Sequence, residues 1–333
     1  MTATDTPPQL VEPRTAYRDA LIALAEADDR LICLDTDTGG LEKTFAQRFP
    51  ERYLNVGIAE ANMLSVAAGL AARGFIPYAH TMATFATTRA AEQLKLDVVA
   101  NQLPVRVVAT HGGLSAAHFG TTHYALEDLA VTRVLGDLTV VVPADGTDIA
   151  PAVRALHDLP GPSYLRLGRS ATPPVRQAGP PFRLGTADVR REGRDVVLVA
   201  TGPYPVLMAL ETAAELAEHG LFCTVLDMHT VAPLDTRALL DAARHCAGVV
   251  TVEEHRPRGG LGDAVAEQLG AQCPLPHVRV AIDGVVGTVV RDHRGALEVA
   301  GLSNTTIREA VLRVSASANK NTISTAQSEG RSK

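Results

Sequence analysis

Short apolar runs alternate with longer amphipathic segments along most of the chain, which is typical of strands that are followed by helices. In the first half this pattern predicts strands at 30–34, 53–56, 76–81, 105–110, 139–143 and 163–167, and helices at 15–27, 59–72, 87–99, 127–135 and 147–157. Residues 111–122 form a long polar loop that contains glycines. Strands that alternate with helices predict a mostly parallel sheet that is covered on both faces.

A cluster of proline and glycine between Pro173 and Pro181 interrupts the pattern and predicts a linker. Beyond it, the alternation resumes with strands at 195–200, 222–228, 248–253 and 277–282, helices between them, and a last helix at 305–314. We therefore expect two consecutive α/β domains with mostly parallel sheets, at 13–172 and 186–314, joined by a linker at 173–185. A flexible arm at 1–12 and a disordered tail at 315–333, rich in serine, alanine, asparagine and lysine, complete the expected organisation.

Composition narrows the class of protein. The 333 residues are 46% apolar and 20% charged, which fits two folded domains. The formal net charge of −6 argues against nucleic acid or an anionic membrane as the main partner. The chain has no apolar run of membrane-spanning length, and its amino terminus lacks the order of a signal peptide, so we expect a cytoplasmic protein. Its four cysteines show no close pairing and are expected to be free thiols.

The most informative stretch surrounds Glu60, in the sequence YLNVGIAEANM at 53–63. The predicted strand ends at Gly57 and the predicted helix begins near Ala59, so Glu60 falls in the first turn of a helix at the carboxyl end of a strand. Ligands of open α/β sheets bind at this edge. An acid in a first helical turn also complements the helix dipole, so position alone leaves both interpretations open.

NVGIAEANM is similar to the NVGIAEQNM signature of the transketolase family, and the resemblance continues in order over about residues 14–312. It implies that Glu60 bonds the aminopyrimidine ring of thiamine diphosphate. Phe85, in a segment that resembles the family's TFxxF, matches the phenylalanine that stacks on this ring, and Met82 takes the place of the first aromatic residue. Asp37 resembles the family acid near the thiazolium, and Ile58 completes the cofactor-binding residues that the resemblance implies.

The loop THGGLSAAHFGTTH at 110–123 is similar to the family's THxG…GExGxTHQ loop. The resemblance implies that His123 is a general acid/base or a hydrogen-bonding residue at the reacting oxygen, and that His111 contacts a substrate phosphate. Arg169, in the sequence LRLGR, and Arg14 match arginines that clamp the terminal phosphate of sugar phosphates. The planar guanidinium is well suited to this task.

Two positions depart from the family pattern. His118-Phe119 stands where the family commonly has Glu-Asp, and that aspartate binds a hydroxyl group of the donor sugar. The phenyl ring of Phe119 cannot accept such a hydrogen bond, so a less hydroxylated donor becomes a candidate substrate. Leu41 falls where the family has a serine near the phosphate, which weakens the prediction of a phosphate site.

Two motifs of the second half, DMHTVAPLD at 227–235 and EEHRPRGGLG at 253–262, resemble the family's carboxy-terminal domain. We interpret them as motifs of packing and subunit contact. The Gly-Gly-Leu-Gly run is predicted to open a helix, whose backbone N–H groups are candidates for binding an anion.

A complete enzyme of this family also needs Gly-Asp-Gly followed by a distant asparagine, which bind the diphosphate and its metal. The chain has Gly136-Asp137-Leu138 and Gly262-Asp263-Ala264, and neither is followed by a suitable asparagine. The resemblance therefore implies the carboxy-terminal, small subunit of a split transketolase, inactive when isolated. Thiamine diphosphate would be shared with an amino-terminal subunit that holds Mg²⁺, in an α2β2 heterotetramer.

The predicted reaction is the transfer of a two-carbon ketol unit from a ketose or ketose phosphate to an aldehyde. Two alternatives stay open from the sequence. One is the beta chain of a 2-oxo-acid dehydrogenase or an enzyme like deoxyxylulose-phosphate synthase, which Phe119 keeps open. The other is a noncatalytic scaffold that regulates another subunit, against which the retention of Glu60, Phe85, His111 and His123 argues.

Overall fold

The computed structural model describes residues 10–38, 40–175, 181–284 and 292–329, with side chains as far as residue 317. The first part contains α1 (Pro13–Ala27), β1 (Leu31–Asp35), α2 (Phe45–Arg48), β2 (Tyr53–Asn55), α3 (Glu60–Ala72), β3 (Ile76–Met82), α4 (Ala83–Thr88), α5 (Ala91–Gln93), β4 (Arg106–Thr110), α6 (Asp128–Val134), β5 (Thr139–Val141), α7 (Gly146–His157) and β6 (Ser163–Arg166). It also has three short 3₁₀ turns, Pro50–Arg52, Ala117–Phe119 and Thr121–His123, and a π-helical turn, Leu94–Val99.

The second part begins after the linker. It contains β7 (Asp188–Arg191), β8 (Val196–Thr201), α8 (Pro203–Glu218), β9 (Cys223–Asp227), β10 (Thr230–Ala232), α9 (Thr236–Ala243), β11 (Val249–Glu253), α10 (Leu261–Gln272), β12 (His277–Val280), α11 (His293–Val299) and α12 (Asn304–Glu329). None of the described helices is both long and apolar enough to cross a membrane.

Within the described ranges, the first sheet has seven strands in the order β10-β5-β6-β4-β3-β1-β2. All neighbours are parallel except β10 and β5. Apart from β2 at the edge, the strands are mostly buried and largely apolar, as expected when helices cover both faces of a parallel sheet. α3 packs on one face through Met63, Leu64 and Ala67, and α1 and α7 pack on the other through Leu21 and Val153. The carboxyl ends of β1, β2, β3 and β4 therefore meet at one edge.

The second sheet has the order β12-β11-β8-β9-β7 among the described strands, and only β7 runs antiparallel to its neighbour. The two parts share the first sheet, because β10 of the second part pairs with β5 and extends that sheet. They also share a core, since Leu114, Tyr124 and Leu126 of the long loop pack with α8 and α12. These two α/β domains with mostly parallel sheets confirm the predicted fold class.

The structure differs from the sequence prediction in several elements. The short antiparallel strands β7 and β10 were not predicted, and the single helix predicted at 87–99 is divided into α4, α5 and the π-helical turn. Val11, in the predicted flexible arm, forms a bridge with Thr172. The last helix, α12, is longer than the predicted helix at 305–314 and continues to Glu329. Extending a formed helix needs only modest helix propensity, whereas starting one is costly. Part of the predicted linker, 176–180, lies outside the described residues.

Candidate active site

Glu60 is the first residue of α3 and lies at the edge of the sheet where β1 to β4 end. A tight turn places it there: Gly57 has a φ of 69° and donates its N–H to Asn55 Oδ1 over 2.9 Å. The positive φ is one that glycine adopts at little cost. The side chain of Glu60 is only 4% exposed. The turn thus presents a buried carboxylate at the sheet edge, as predicted.

Arg89 contacts both this carboxylate and the ring of Phe85. Arg89 Nη1 lies 3.1 Å from Glu60 Oε1 and 3.3 Å from Oε2. The same guanidinium lies over the ring of Phe85, with Cζ 3.9 Å from the ring centroid. Arg89 caps α4 four residues after Phe85, so the two side chains share one face of the helix. A planar cation therefore bridges the predicted cofactor acid and the predicted stacking ring.

The second face of this cluster comes from the long loop after β4. The ring of His123 meets the ring of Phe85 edge-on, with centroids 5.4 Å apart. Phe119 then lies between the loop histidines, with its centroid 4.8 Å from that of His123, 4.0 Å from that of His118 and 6.3 Å from that of His111. Phe119 is 48% exposed, so its ring forms part of the open surface of the site.

His111 stands at the end of β4 in a left-handed conformation, with a φ of 59°. Such a conformation is uncommon outside glycine and is often found at functional sites. Its Nδ1 is hydrogen-bonded to Thr110 Oγ1 over 2.9 Å. Burial lowers the pKa of His111 to about 4, and the positive charges of Arg14 and Arg169 act in the same direction. The imidazole is therefore neutral at pH 7 and lies close to two arginines.

The predicted phosphate-binding residues converge on one region. Arg14 is about 40% exposed and pairs with Glu12 over 3.5 Å. A cavity of ≈ 240 Å³ connects it with Thr110, the neighbour of His111, and with Leu41. Burial lowers the pKa of His118, and the positive charge of Arg169 acts in the same direction, so this arginine also lies near the loop. The structure thus brings two arginines from separate segments close to the histidines of the long loop.

The remaining predicted cofactor residues lie around the same sheet edge. Met82 ends β3 and is half-buried, three residues before Phe85. Ile58, in the turn before Glu60, is 73% exposed, and Asp37 is exposed with a φ of 62°. Buried Asp35 fixes the turn that carries Asp37, because its Oδ1 accepts hydrogen bonds from the backbone N–H and the hydroxyl group of Thr38. The roles of these residues stay predictions.

Glu254 of the second domain holds the long loop after β4 in place. Its Oε1 accepts a hydrogen bond from the backbone N–H of Leu114 over 2.5 Å and pairs with His293 Nε2 over 2.7 Å. Gly113 lies so close that an added Cβ would stand 2.2 Å from the carboxyl carbon of Glu254. The glycine is therefore required by this close approach and by its φ of 63°.

A buried ion pair lies beneath the same loop. Arg166, at the end of β6, donates to both carboxylate oxygens of Asp128 over 2.7 and 3.0 Å, and it donates to the backbone oxygen of Glu254 over 3.1 Å. Loss of one partner from a buried pair of this kind costs about 3–5 kcal/mol. The pair therefore fixes β6, α6 and the second domain relative to the long loop after β4.

The anion-binding role predicted for the Gly-Gly-Leu-Gly run needs correction. The backbone N–H groups of Leu261 and Gly262, at the start of α10, donate to the two carboxylate oxygens of Glu253 over 2.6 and 2.7 Å. An added Cβ on Gly260 would stand 2.0 Å from Glu253 Oε2. The backbone N–H groups at the start of α10 therefore bind the buried carboxylate of Glu253, and the motif serves packing within the chain.

Two residues of the site were not found from the sequence. The relation of Arg89 to Phe85 was hidden because the predicted helix began at residue 87, whereas α4 begins at Ala83 and includes Phe85. Glu254 lies in the motif at 253–262, but the motif does not indicate its contact with Leu114, which joins residues 140 positions apart.

Comparison with known proteins identifies the two domains. The family described as transketolase, pyrimidine binding domain, matches residues 10–174, and the transketolase C-terminal domain matches residues 185–305. The 6-deoxy-6-sulfo-D-fructose transketolase subunit SqwH of Clostridium sp. (strain MSTE9) is 40% identical over 278 residues, which cover 83% of this chain and 86% of that protein.

Two further relatives agree. One of the subunits of the apulose-4-phosphate transketolase of Phocaeicola vulgatus is 34% identical over 270 residues, which cover 80% of this chain and 86% of that protein. Among solved structures, a split gene transketolase described as an inactive beta4 tetramer superimposes with a TM-score of 0.84 at 39% identity, over 92% of this chain and 99% of that chain. The chain therefore belongs to the transketolase family and corresponds to the small, carboxy-terminal subunit of its split members.

Proposed function

We propose that this chain is the small subunit of a thiamine diphosphate-dependent transketolase, which moves a two-carbon ketol unit from a ketose to an aldose or another aldehyde. One observation carries the proposal: Arg89 joins the buried carboxylate of Glu60 to the ring of Phe85, and this ring in turn contacts His123. An acid, an aromatic wall and a loop histidine therefore meet at the sheet edge where ligands of such folds bind.

The residues present fit the aminopyrimidine part of this cofactor. The guanidinium of Arg89, a planar cation, donates to Glu60 and lies over Phe85, so the same two side chains can hold a flat, protonated ring. Bound thiamine diphosphate supplies the electron sink for the reaction, and the protein supplies orientation and electrostatics. Met82 would offer a soft apolar surface to the ring, and exposed Ile58 and Asp37 would complete its surroundings.

Glu60 would hold a proton on the distal nitrogen of that ring. Because the carboxylate is almost excluded from water, its attraction for a protonated nitrogen is stronger than it would be at the surface. His123, at the other side of Phe85, would donate or accept a proton at the reacting oxygen.

An anionic group at the far end of the substrate would bind between Arg14, Arg169 and His111. Burial is the main cause of the depressed pKa of His111, and the positive charges of Arg14 and Arg169 add to it, which supports this assignment because both arginines lie near the imidazole. SqwH and the apulose-4-phosphate enzyme are named for substrates that carry a sulfo or a phosphate group. We infer that this chain also handles a sugar with an anionic end.

Phe119 would set the donor preference. Its half-exposed ring covers His118 and His123 at the place where an acid would otherwise bind a sugar hydroxyl. A donor without that hydroxyl leaves no polar group unpaired against the phenyl ring, whereas a hydroxylated donor does. We therefore expect a deoxygenated donor to be preferred.

The diphosphate and Mg²⁺ would be held by an amino-terminal partner subunit, in an α2β2 heterotetramer within the cytoplasm. Glu60 would then act on cofactor across the subunit interface. The apolar Ile58 beside it, exposed in the free chain, fits a position that the partner covers.

The test is reconstitution. The chain and a candidate amino-terminal subunit, each purified, should show no ketol transfer alone and measurable transfer when mixed with thiamine diphosphate and Mg²⁺. Transfer by the isolated chain would refute the split-enzyme proposal, and failure of every mixed pair to bind cofactor would refute the cofactor assignment.

A further inference from the structure

Arg89 occupies the place that the proposed function gives to the cofactor ring. Its Nη1 is shared between both oxygens of Glu60, at 3.1 and 3.3 Å, and its Cζ lies 3.9 Å from the centroid of Phe85. These are the two contacts that the proposed function needs for the aminopyrimidine, namely an N–H donated to the acid and a flat face on the phenyl ring.

Guanidinium and a protonated aminopyrimidine have the features that these contacts require. Both are planar and delocalised cations, and both carry N–H donors in the plane. Each is attracted to the face of an aromatic ring, and each forms charge-assisted hydrogen bonds with a carboxylate. One face of Phe85 and one buried carboxylate cannot serve both groups at the same time.

The two partners differ in their freedom to move. Glu60 is 4% exposed and is fixed at the start of α3, whereas the side chain of Arg89 is 48% exposed. Arg89 also lies at the end of α4, where its side chain can turn toward solvent without any change in the helix. An exchange would therefore displace the arginine and leave the acid and the ring in position.

We propose that Arg89 is the internal occupant of the pyrimidine site in the free subunit, and that thiamine diphosphate binds by replacing it. The inference rests on the proposed function of Glu60 and Phe85. In the free chain, Arg89 keeps the carboxylate and the phenyl ring arranged as the cofactor needs them. In the assembled enzyme, the same contact competes with the cofactor.

The test compares cofactor affinity in reconstituted pairs that contain wild-type or Arg89→Ala small subunit. Isothermal titration calorimetry with thiamine diphosphate at saturating Mg²⁺ gives Kd without any need for turnover. A half-exposed ion pair and a cation–π contact are each weak, so their loss should lower Kd by about five- to tenfold. Arg89→Lys keeps the charge but lacks the flat fork, and should give a Kd between the two.

Arg48→Ala is the matched control. Arg48 also pairs with a carboxylate, that of Glu26, and lies over a phenyl ring, that of Phe49, with 5.9 Å between Cζ and the ring centroid. Its removal should leave Kd unchanged. An unchanged or raised Kd for Arg89→Ala, in pairs that unfold at the wild-type temperature, would overturn the inference.

The two proposals fail in different ways. If the wild-type pair binds cofactor and transfers ketol units but Arg89→Ala binds no more tightly, only the internal-occupant proposal is wrong. If the wild-type pair neither binds cofactor nor transfers ketol units, the proposed function itself is wrong.

Discussion

His111 gives a quantitative test of the cationic end of the site. Its imidazole is 5% exposed, and burial together with nearby Arg14 and Arg169 lowers its pKa to about 4. In the unfolded chain the pKa should be about 6.5. Because the folded protein resists protonation, His111 contributes full stability above pH 6.5, and this contribution is lost as the pH falls toward 4.

The size of the effect follows from these two pKa values. Between pH 7 and pH 4.5, linkage gives a loss of about 2–3 kcal/mol in the free energy of unfolding from this histidine alone. His111→Asn removes the titrating group and suits the backbone, since asparagine tolerates a φ of 59° better than most residues. The variant should therefore lose about 2–3 kcal/mol less than the wild type over this interval.

Urea unfolding at pH 7 and pH 4.5 measures this difference. His219→Asn, which replaces an exposed histidine just after α8, is the control and should follow the wild type. Inorganic phosphate should diminish the difference, because an anion between Arg14 and Arg169 raises the pKa of His111. Equal pH dependence of wild type and His111→Asn would refute the placement of this imidazole in a buried, cationic environment.

Three further predictions concern packing and substrate choice. Gly262→Ala should destabilise the chain, because the new Cβ would stand 2.8 Å from Glu253 Oε1. Gly270→Ala, in the same helix, meets nothing within 4 Å and should raise the free energy of unfolding by up to about 1 kcal/mol. Urea unfolding of the two variants measures this difference. Arg169→Lys should raise KM for a phosphorylated substrate by about tenfold with kcat little changed, since lysine lacks the bidentate fork; an unchanged KM would remove Arg169 from the anion site. Phe119→Asp should shift kcat/KM toward more hydroxylated donors in a donor panel, and an unaltered ranking would show that this ring does not set the preference.

Most of the fold could be predicted from the sequence because buried parallel strands are short, continuous apolar runs. β7 and β10 were not predicted because each strand is short and antiparallel. Each is stabilised by pairing with another strand rather than by its own pattern of apolar residues. The single helix predicted at 87–99 was wrong for a related reason. The apolar pattern continues from α4 to the π-helical turn, so it does not show where one helix ends and the next begins.

The residues of the site show the same difference between local patterns and distant contacts. Glu60, Phe85 and the long loop after β4 could be located because each belongs to a local motif. The contact of Arg89 with Glu60 and that of Glu254 with the loop depend on tertiary structure, which no local pattern contains. The Gly-Gly-Leu-Gly run shows the opposite error: its helix start was predicted correctly, but the carboxylate of Glu253 that fills it was not.

The most direct test of the central claim is the turnover of a reconstituted enzyme that carries Glu60→Gln. Glutamine keeps the size and a hydrogen bond but cannot hold a proton on the cofactor ring by its charge. We predict that ketol transfer falls by about 100-fold or more, while subunit assembly and the unfolding midpoint stay at wild-type values. Turnover equal to that of the wild type would contradict the role assigned to this carboxylate.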